Sequence, residues 1–584
     1  MAKSKEKPTV KKSRSKNIIG DSAMTTWFEK NYSRLCISVL VLAGVLRLLL
    51  LFELPNMPFN QLHQATDLDM HFFDQWGDRI AHGDILTDTV WHPYHSWHAH
   101  IASSMGLEDK ISGQQKWNEW YGGKKYHQEP LYPLLVGVAK MITSEGRLLL
   151  YIFQMLLGMV SIWMVMWLGR HYFGAMAGIL GGLLFTLYSP NLLFEAALLR
   201  TSLSTTLLLS LICVAEKMYI GKGKPFLFGI LGGIGYILMA TSILLWIPLF
   251  FRWLYLRRNE LVHLWKVVAG FMIIISFLIM RNSIAGVPLF STSSVGPVTY
   301  VCSNFPTYEP ELGFAYFLEA GQIMESSGGQ MLPAAVGVIQ LHKSVWNWVL
   351  LQIKKLGAVF HWYEIPNNIN SYLAAKMSFA LRLAFIPFSI IAALGLMGIW
   401  MNLKNGKTYS LYVGVLSQVA IMVIFYVLCR FRIPIVAMMA IFAGYTLQRL
   451  ASLQTAKQIM LTSVGAIAMF IFVIRPIPRI PVPFEKGDVT TYFQAYFLPR
   501  LQSLEAKGDL AGCTVLLEKL INTMPGYFRK INSNSELSSQ KEKDLASFYG
   551  TLCLDESDLF TNIGNTQASS KYKLMGQKLQ GPGN

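Results

Sequence analysis

Charged side chains are scarce in this sequence. Asp, Glu, Lys and Arg make up 15% of 584 residues, against 53% hydrophobic, and the apolar residues fall in blocks of about 20 separated by short basic loops. That pattern is the signature of a multi-spanning membrane protein. Cysteine is equally sparse. Six Cys do not make a disulfide framework, and Cys36, Cys213 and Cys429 lie in or beside apolar blocks as ordinary core residues. Cys513 and Cys553 remain as a pair expected to form a disulfide if the tail is exported. No small-residue cleavage site follows the apolar run from Leu35 to Leu54. The basic stretch before it (Lys3, Lys5, Lys7, Lys11, Lys12, Arg14, Lys16) is too long for a secretory n-region, so the segment is expected to stay attached and cytoplasmic. No internal repeat is detectable, which counts against a transporter built on inverted repeats.

Acidic residues are outnumbered, 34 to 51, giving a net charge of +17. The Lys and Arg sit mainly in the first 16 residues and beside apolar blocks, where they set orientation, so no nucleic-acid partner is expected. Placing Arg170/His171, Lys217/Lys222/Lys224, Arg252/Arg257/Arg258, Lys404/Lys407 and Arg449/Lys457 in the cytoplasm selects one topology. Its spans fall near 35–53, 148–168, 172–189, 197–217, 225–239, 241–256, 262–281, 378–402, 408–428, 433–450 and 457–475, about eleven in all. Pro130 to Thr143 is apolar but too short to cross and reads as a half-helix. Crossing there would put the later basic loops on the wrong side.

The expected fold is therefore an all-α polytopic membrane protein with a large first external loop carrying interfacial helices and a small α-helical external C-terminal domain. A basic cytoplasmic segment (1–32) precedes a transmembrane domain (33–475) with external loops at 54–146 and 282–376. A helical external domain (476–564) and a disordered tail (565–584), rich in Gly, Ser, Gln and Lys, follow. The first loop holds five of the fifteen Trp and eight of the twelve His, a composition suited to an ordered interfacial domain. Val345 to Phe360 is amphipathic and expected to lie on the membrane plane. In the C-terminal part, Leu501, Leu504, Gly508, Cys513, Leu517, Leu520 and Pro525 resemble one degenerate tetratricopeptide helix-turn-helix, although any helical hairpin would look similar.

The first loop opens with a segment, Thr66 to Asp84, in which apolar or aromatic residues at 70, 73, 76/77 and 80/81 recur at helical spacing and Gly83 is placed to end the helix. Asp67 and Asp69 sit at its start, beside the first span. A carboxylate at such a mouth can act as general base on an acceptor hydroxyl; the alternative is helix capping. Further on, His127-Gln128-Glu129-Pro130-Leu131-Tyr132-Pro133 brings prolines to the entry of the half-helix.

An external acidic motif, an aromatic helix ending in Gly83-Asp84, and then Pro130-Leu131-Tyr132-Pro133 together resemble the glycosyltransferase C superfamily. The likeness is to bacterial family 39 enzymes, similar to protein mannosyltransferases and lipid A aminoarabinose transferases. It continues through Tyr188-Ser189-Pro190, Glu195, Arg281-Asn282 and Phe431-Arg432-Ile433-Pro434, over about residues 33–475. Many family 39 members carry Asp-Glu at the catalytic position where this chain has Asp67-x-Asp69. The spacing from Gly83-Asp84 favours Asp69 as the family base, with Asp67 open.

The resemblance implies transfer of a sugar from a polyprenyl-phosphate donor to a hydroxyl of a protein, lipid or glycan acceptor, on the outer face of a bacterial inner membrane. The N-terminus would be cytoplasmic and the C-terminus extracytoplasmic. Arg281, Arg430 and Arg432 lie at external span ends, where a lipid phosphate would justify an arginine; snorkelling to headgroups is the alternative. Glu195, Glu129, His127, Tyr132, Asn282 and Glu364 are candidate acceptor or substrate contacts, with Glu195 alternatively pairing with Arg200. His92, His95, His98 and His100 do not match a zinc spacing, and no obligatory cofactor is expected, a divalent metal being the less favoured option. The readings from other classes are a transporter or flippase of lipid-linked saccharides and a non-catalytic envelope assembly protein using its C-terminal domain to bind a partner.

Overall fold

The computed structural model describes residues 23–452, 456–476 and 484–580. Among the described residues the fold is helical, with two isolated β-bridges, Tyr188 to Phe385 and Asn367 to Ile369. Helix α1 (Ala23–Glu53) leads into the first large loop, which contains α2 (Asp69–Ala81), α3 (Ser96–Ser104), α4 (Lys110–Trp120) and α5 (Leu131–Ile142). The first half of the bundle follows as α6 (Arg147–Phe173), α7 (Ala175–Thr186), α8 (Ser189–Glu195), α9 (Thr201–Tyr219), α10 (Pro225–Leu238), α11 (Ile243–Leu256) and α12 (Leu264–Ala285). A second large loop carries α13 (Gly296–Ser303), α14 (Ala320–Ser327), α15 (Met331–Gln340), α16 (Val345–Val359), α17 (Ser371–Met377) and α18 (Phe379–Leu383). The bundle closes with α19 (Phe388–Asn402), α20 (Tyr409–Ile424), α21 (Cys429–Ala451) and α22 (Ala456–Val473). The C-terminal domain consists of α23 (Lys486–Tyr492), α24 (Leu498–Ala506), α25 (Leu510–Ile521), α26 (Gln540–Asn562) and α27 (Thr566–Gln580).

Among the described residues six helices, α1, α6, α9, α12, α20 and α21, are long and apolar enough to cross a membrane, and seven shorter apolar helices accompany them. Of the long ones α9 and α21 are the most enclosed, with 83% and 78% of their apolar windows buried, whereas α12 has 22%. The middle of the bundle is therefore α9 and α21, and α12 faces outward. Small residues make this packing close. A methyl group on Gly444 would lie 2.2 Å from the Ala177 carbonyl oxygen, and one on Gly229 would lie 2.0 Å from that of Val267. Backbones approach to van der Waals contact there, as expected where apolar helices must attract one another without a hydrophobic drive.

Two of the expected spans are broken. The 172–189 segment stops at Thr186, because Pro190 starts α8 at its first turn, where a missing N–H costs nothing. The 378–402 segment divides at Pro387 into α18 and α19. The breaks meet each other: Ile386 donates its N–H to the Leu187 carbonyl at 2.9 Å.

The C-terminal domain departs from expectation in two ways. Residues 566–580 form α27 rather than a disordered tail, because Tyr572, Gly576 and Leu579 recur at helical spacing and are buried. A methyl group on Gly550 of α26 would meet Gly576 O at 3.1 Å, so the two helices lie backbone to backbone. Residues 581–584 lie outside the described residues. The expected Cys513–Cys553 disulfide is absent; both thiols are free and wholly buried, each occupying its own place in the apolar packing of α25 and α26. Helices α24 and α25 form a hairpin with Gly508 at φ +71° in the turn, and α26 and α27 form another with Gly564 at φ +80°.

Candidate active site

Helix α2 is anchored by its apolar face. Met70, Phe72, Phe73, Trp76 and Ile80 are buried, and Trp76 donates its indole N–H to Thr87 Oγ1 at 3.0 Å. Gly77 and Gly137 let α2 sit directly on α5, since a methyl group on either would fall 2.4 Å from Val136 or Ile80. At the other end Gly83 takes φ +100°, and Asp84 turns back to Arg79, accepting from its Nε at 2.9 Å. The start of α2, and hence Asp69, is held by this packing.

Asp69 does not cap its own helix; Leu68 is the N-cap residue and provides no side-chain bond. The carboxylate is instead gripped from three distant parts of the chain. Gln128 donates to Oδ1 at 2.9 Å, while Asn368 at 2.9 Å and Arg430 at 2.7 Å donate to Oδ2. Burial pushes the Asp69 carboxyl up, but the Arg430 guanidinium, the Asn368 amide and His95 outweigh it and hold the group below the usual carboxylate range. Asp67, two residues earlier, does cap a helix. It accepts the Ser96 N–H at 2.7 Å and the Ser96 hydroxyl at 2.5 Å at the start of α3.

Both carboxylates line a cavity of about 540 Å³. One wall is apolar, from Val298, Ile421, Met422, Phe425 and Pro434; the polar wall includes Gln128, Glu129, Arg200, Gln418 and Arg430. Arg200 is paired with Glu129, whose other oxygen accepts the Ala240 N–H at 3.2 Å. Among the described residues, Arg430 Nε, Gln418 Nε2 and Ser204 Oγ in this wall are buried without a hydrogen-bond partner. Orphaned buried groups of this kind are costly in a finished core, and a wall with spare donors is complementary to an acceptor-rich ligand such as a phosphate. His127 also lines the cavity; burial holds its imidazole neutral, with its protonation pushed far below the ordinary value.

The remaining sequence candidates lie elsewhere. Arg432 is fully buried and donates to the Tyr363 and Ala358 carbonyls at 2.7 Å each, with Glu364 at 3.3 Å. Glu364 in turn accepts the Tyr188 hydroxyl at 2.6 Å. Arg281 donates to the carbonyls of Leu86 at 3.0 Å, Lys124 at 2.8 Å and Thr87, stacked 3.7 Å over Tyr126. Neither arginine is among the residues that line the cavity, so the structure does not bring these two together with Asp69. Glu195 pairs not with Arg200 but with Arg47, at 2.5 Å inside the bundle. Asn282 binds the carbonyls of Pro288, Leu289 and Ser291, and Tyr132 donates to Gln154 at 3.1 Å, so both serve local structure. The histidines have structural partners too: His92 bonds the Gly123 carbonyl at 2.6 Å and His98 the Tyr121 hydroxyl at 2.7 Å.

Sequence reading missed Arg200, Gln128, Gln418 and Asn368. For Asn368 a signal existed: Pro366-Asn367-Asn368 marks a turn, and Asn368 adopts φ +63°, a conformation that asparagine tolerates better than most residues.

No family model matches the chain, and no curated protein matches it. A search of solved structures found a likeness to the crystal structure of the Archaeoglobus fulgidus oligosaccharyltransferase in its apo form. The identity is 13% and the TM-score 0.30, with 81% of this chain and 60% of that one covered. This chain thus spans less than two thirds of that protein.

Proposed function

We propose that this protein is a membrane glycosyltransferase of the C superfamily type that moves one sugar from a polyprenyl-phosphate donor to an acceptor hydroxyl on the extracytoplasmic side. The observation that carries this reading is the Asp69–Arg430 pair in the wall of a cavity where, among the described residues, Gln418 Nε2 and Ser204 Oγ are buried without a partner. The apolar wall suits the first isoprene units, and Arg430, Arg200, Gln418 and Ser204 suit the phosphate. In the reaction the acceptor oxygen attacks the anomeric carbon, the carbon–oxygen bond to the phosphate breaks, and the lipid phosphate leaves with the electron pair. Asp69 takes the acceptor proton.

A carboxylate held by a guanidinium is a weak base. A phosphate drawing Arg430 toward itself would release Asp69 when the donor is in place, so that donor binding and base activation go together. No cofactor is required by this scheme. The test is transfer from a synthetic polyprenyl-phosphate sugar in nanodiscs, with donor binding followed separately. Asp69→Asn is expected to lose about 10² to 10⁴ in rate with the fold retained, and Arg430→Gln to weaken donor binding as well as turnover. Near wild-type transfer by both Asp69→Asn and Asp67→Asn would overturn the assignment. Movement of intact donor across the bilayer without cleavage would point to a flippase instead.

A further inference from the structure

Among the described residues the C-terminal helical domain contributes none to the cavity wall, whose last member is Pro434, yet it is bonded to the segments that lead to Asp69. Tyr496 Oη donates to the Asn56 carbonyl at 3.0 Å and Lys519 Nζ to the same oxygen at 2.8 Å, in the stretch just before Asp67. On the other side, Lys376 Nζ of α17 donates to the Thr523 carbonyl at 2.6 Å.

Between these tethers runs a more specific connection. Asn368 makes a two-way contact with Asp69: its amide donates to Oδ2 at 2.9 Å, and its Oδ1 accepts the Asp69 N–H at 2.7 Å. Its backbone at φ +63° is uncommon for a side-chain-bearing residue and persists only where the surroundings enforce it. Two residues on, Asn370 is buried. Its Oδ1 caps α17 by accepting from Tyr372 and Leu373 N–H at 3.0 and 3.1 Å, and its amide donates to Asp488 Oδ2 at 3.1 Å. Asp488 is itself fixed inside the C-terminal domain, accepting the Glu485 N–H at 2.9 Å, while Glu485 pairs with Lys541 of α26 at 2.5 Å.

We propose that Asn368 is a positioning residue for Asp69, and that the C-terminal domain holds it in place through Asp488 and Asn370, so that this domain governs the cavity carboxylate without touching it. The inference builds on Asp69 as the working carboxylate of the proposed function, but its test needs no turnover. Absence of transfer would refute the function and leave the following measurement standing.

The experiment uses the full-length protein in nanodiscs. Asp69 is labelled with a carbodiimide and an amine nucleophile at about pH 5 and quantified by peptide mass spectrometry; only a protonated carboxyl is activated, so the initial labelling rate at fixed pH follows its protonated fraction. In the wild type, labelling of Asp69 is expected to be slow, because its carboxyl is held below the usual range. Asn368→Gly keeps the backbone conformation and removes the amide. Loss of one hydrogen bond to a charged group is expected to raise the labelling rate by about 10- to 100-fold. Asp488→Ala is expected to raise it as well, and Asp488→Asn, which keeps an oxygen for Asn370, to restore the wild-type rate. If Asp488→Ala unfolds the C-terminal domain, read as fast amide exchange over 498–580, the rise must still occur. A wild-type rate in Asn368→Gly overturns the positioning role, and a wild-type rate in Asp488→Ala overturns the role of the domain.

Discussion

Gly158 on α6 is the residue whose substitution most sharply tests the interior of the bundle. A methyl group there would lie 1.9 Å from Glu195 Oε1, 2.3 Å from its Cδ and 2.8 Å from Arg47 Nη2. The same Oε1 accepts from Arg47 at 2.5 Å and from Asn191 at 3.1 Å, and the two charged side chains are 4% and 1% exposed. Two effects oppose each other in Gly158→Ala. Helix propensity favours alanine by about 1 kcal/mol. Displacing the glutamate breaks a buried ion pair, which costs about 3–5 kcal/mol because a charge is left without its partner. The clash wins, and a net loss of about 2–4 kcal/mol is expected, read as a lower midpoint of thermal aggregation in detergent. In an Arg47→Met/Glu195→Ala background both charges and the clashing δ-carbon are gone, so the same alanine should cost little or nothing, a strong departure from additivity. A Gly158→Ala protein as stable as the wild type, or an equal effect in both backgrounds, would refute the reasoning.

Gly137→Ala should push Ile80, and with it α2, off α5, since the new methyl group would stand 2.4 Å from Ile80 Cγ2; transfer is expected to fall by about tenfold or more through misplacement of Asp69, and unchanged transfer would separate α2 packing from the site. Glu556 is wholly buried with neither carboxylate oxygen bonded among the described residues, and burial, reinforced by Glu518, pushes it up to about 8. Its proton is held more tightly in the folded than in the unfolded domain, so its stabilising share is complete below the ordinary carboxylate value and is lost as pH rises toward about 8. Tryptic cleavage within 498–580 of the full chain should therefore accelerate over that window and become flatter with pH in Glu556→Gln; identical profiles would exclude this residue as the cause. Ser103→Cys and Ser535→Cys, both at exposed positions, should be labelled from the same side of the membrane by an impermeant maleimide, and opposite accessibility would contradict the docking of the C-terminal domain on the first loop.

How far each feature could be read ahead of the structure depended on whether its signal was local. Helix α2 was legible because aromatic spacing and Gly83 act within a few residues. The breaks at Pro190 and Pro387 carry local signals too, but in an apolar stretch of span length they were overridden by hydropathy. The partners of the arginines are hidden in the sequence for a different reason. Depth and charge say that an arginine needs acceptors, not which ones, and for Arg281 and Arg432 these include main-chain carbonyls of segments nearly 70 to 200 positions away. Arg430, two residues from Arg432, alone points its charge at Asp69, since successive helix positions differ by about 100° in direction. Helix α27 was hidden by composition, because a few apolar positions at the right spacing are enough to dock a polar helix.

The contacts that dock the C-terminal domain have a consequence for how such a protein changes over time. Tyr496, Lys519 and Lys376 all address main-chain oxygens, those of Asn56 and Thr523. An oxygen of that kind persists whatever side chain its residue bears. Substitutions at Asn56 and Thr523 are therefore nearly invisible to these three bonds, in contrast to the Asn370–Asp488 pair, where both side chains are needed. Distant descendants can hold the same docked arrangement while their sequences drift apart, and correlated variation between positions 56 and 519 would be a poor guide to a junction that is nonetheless bonded.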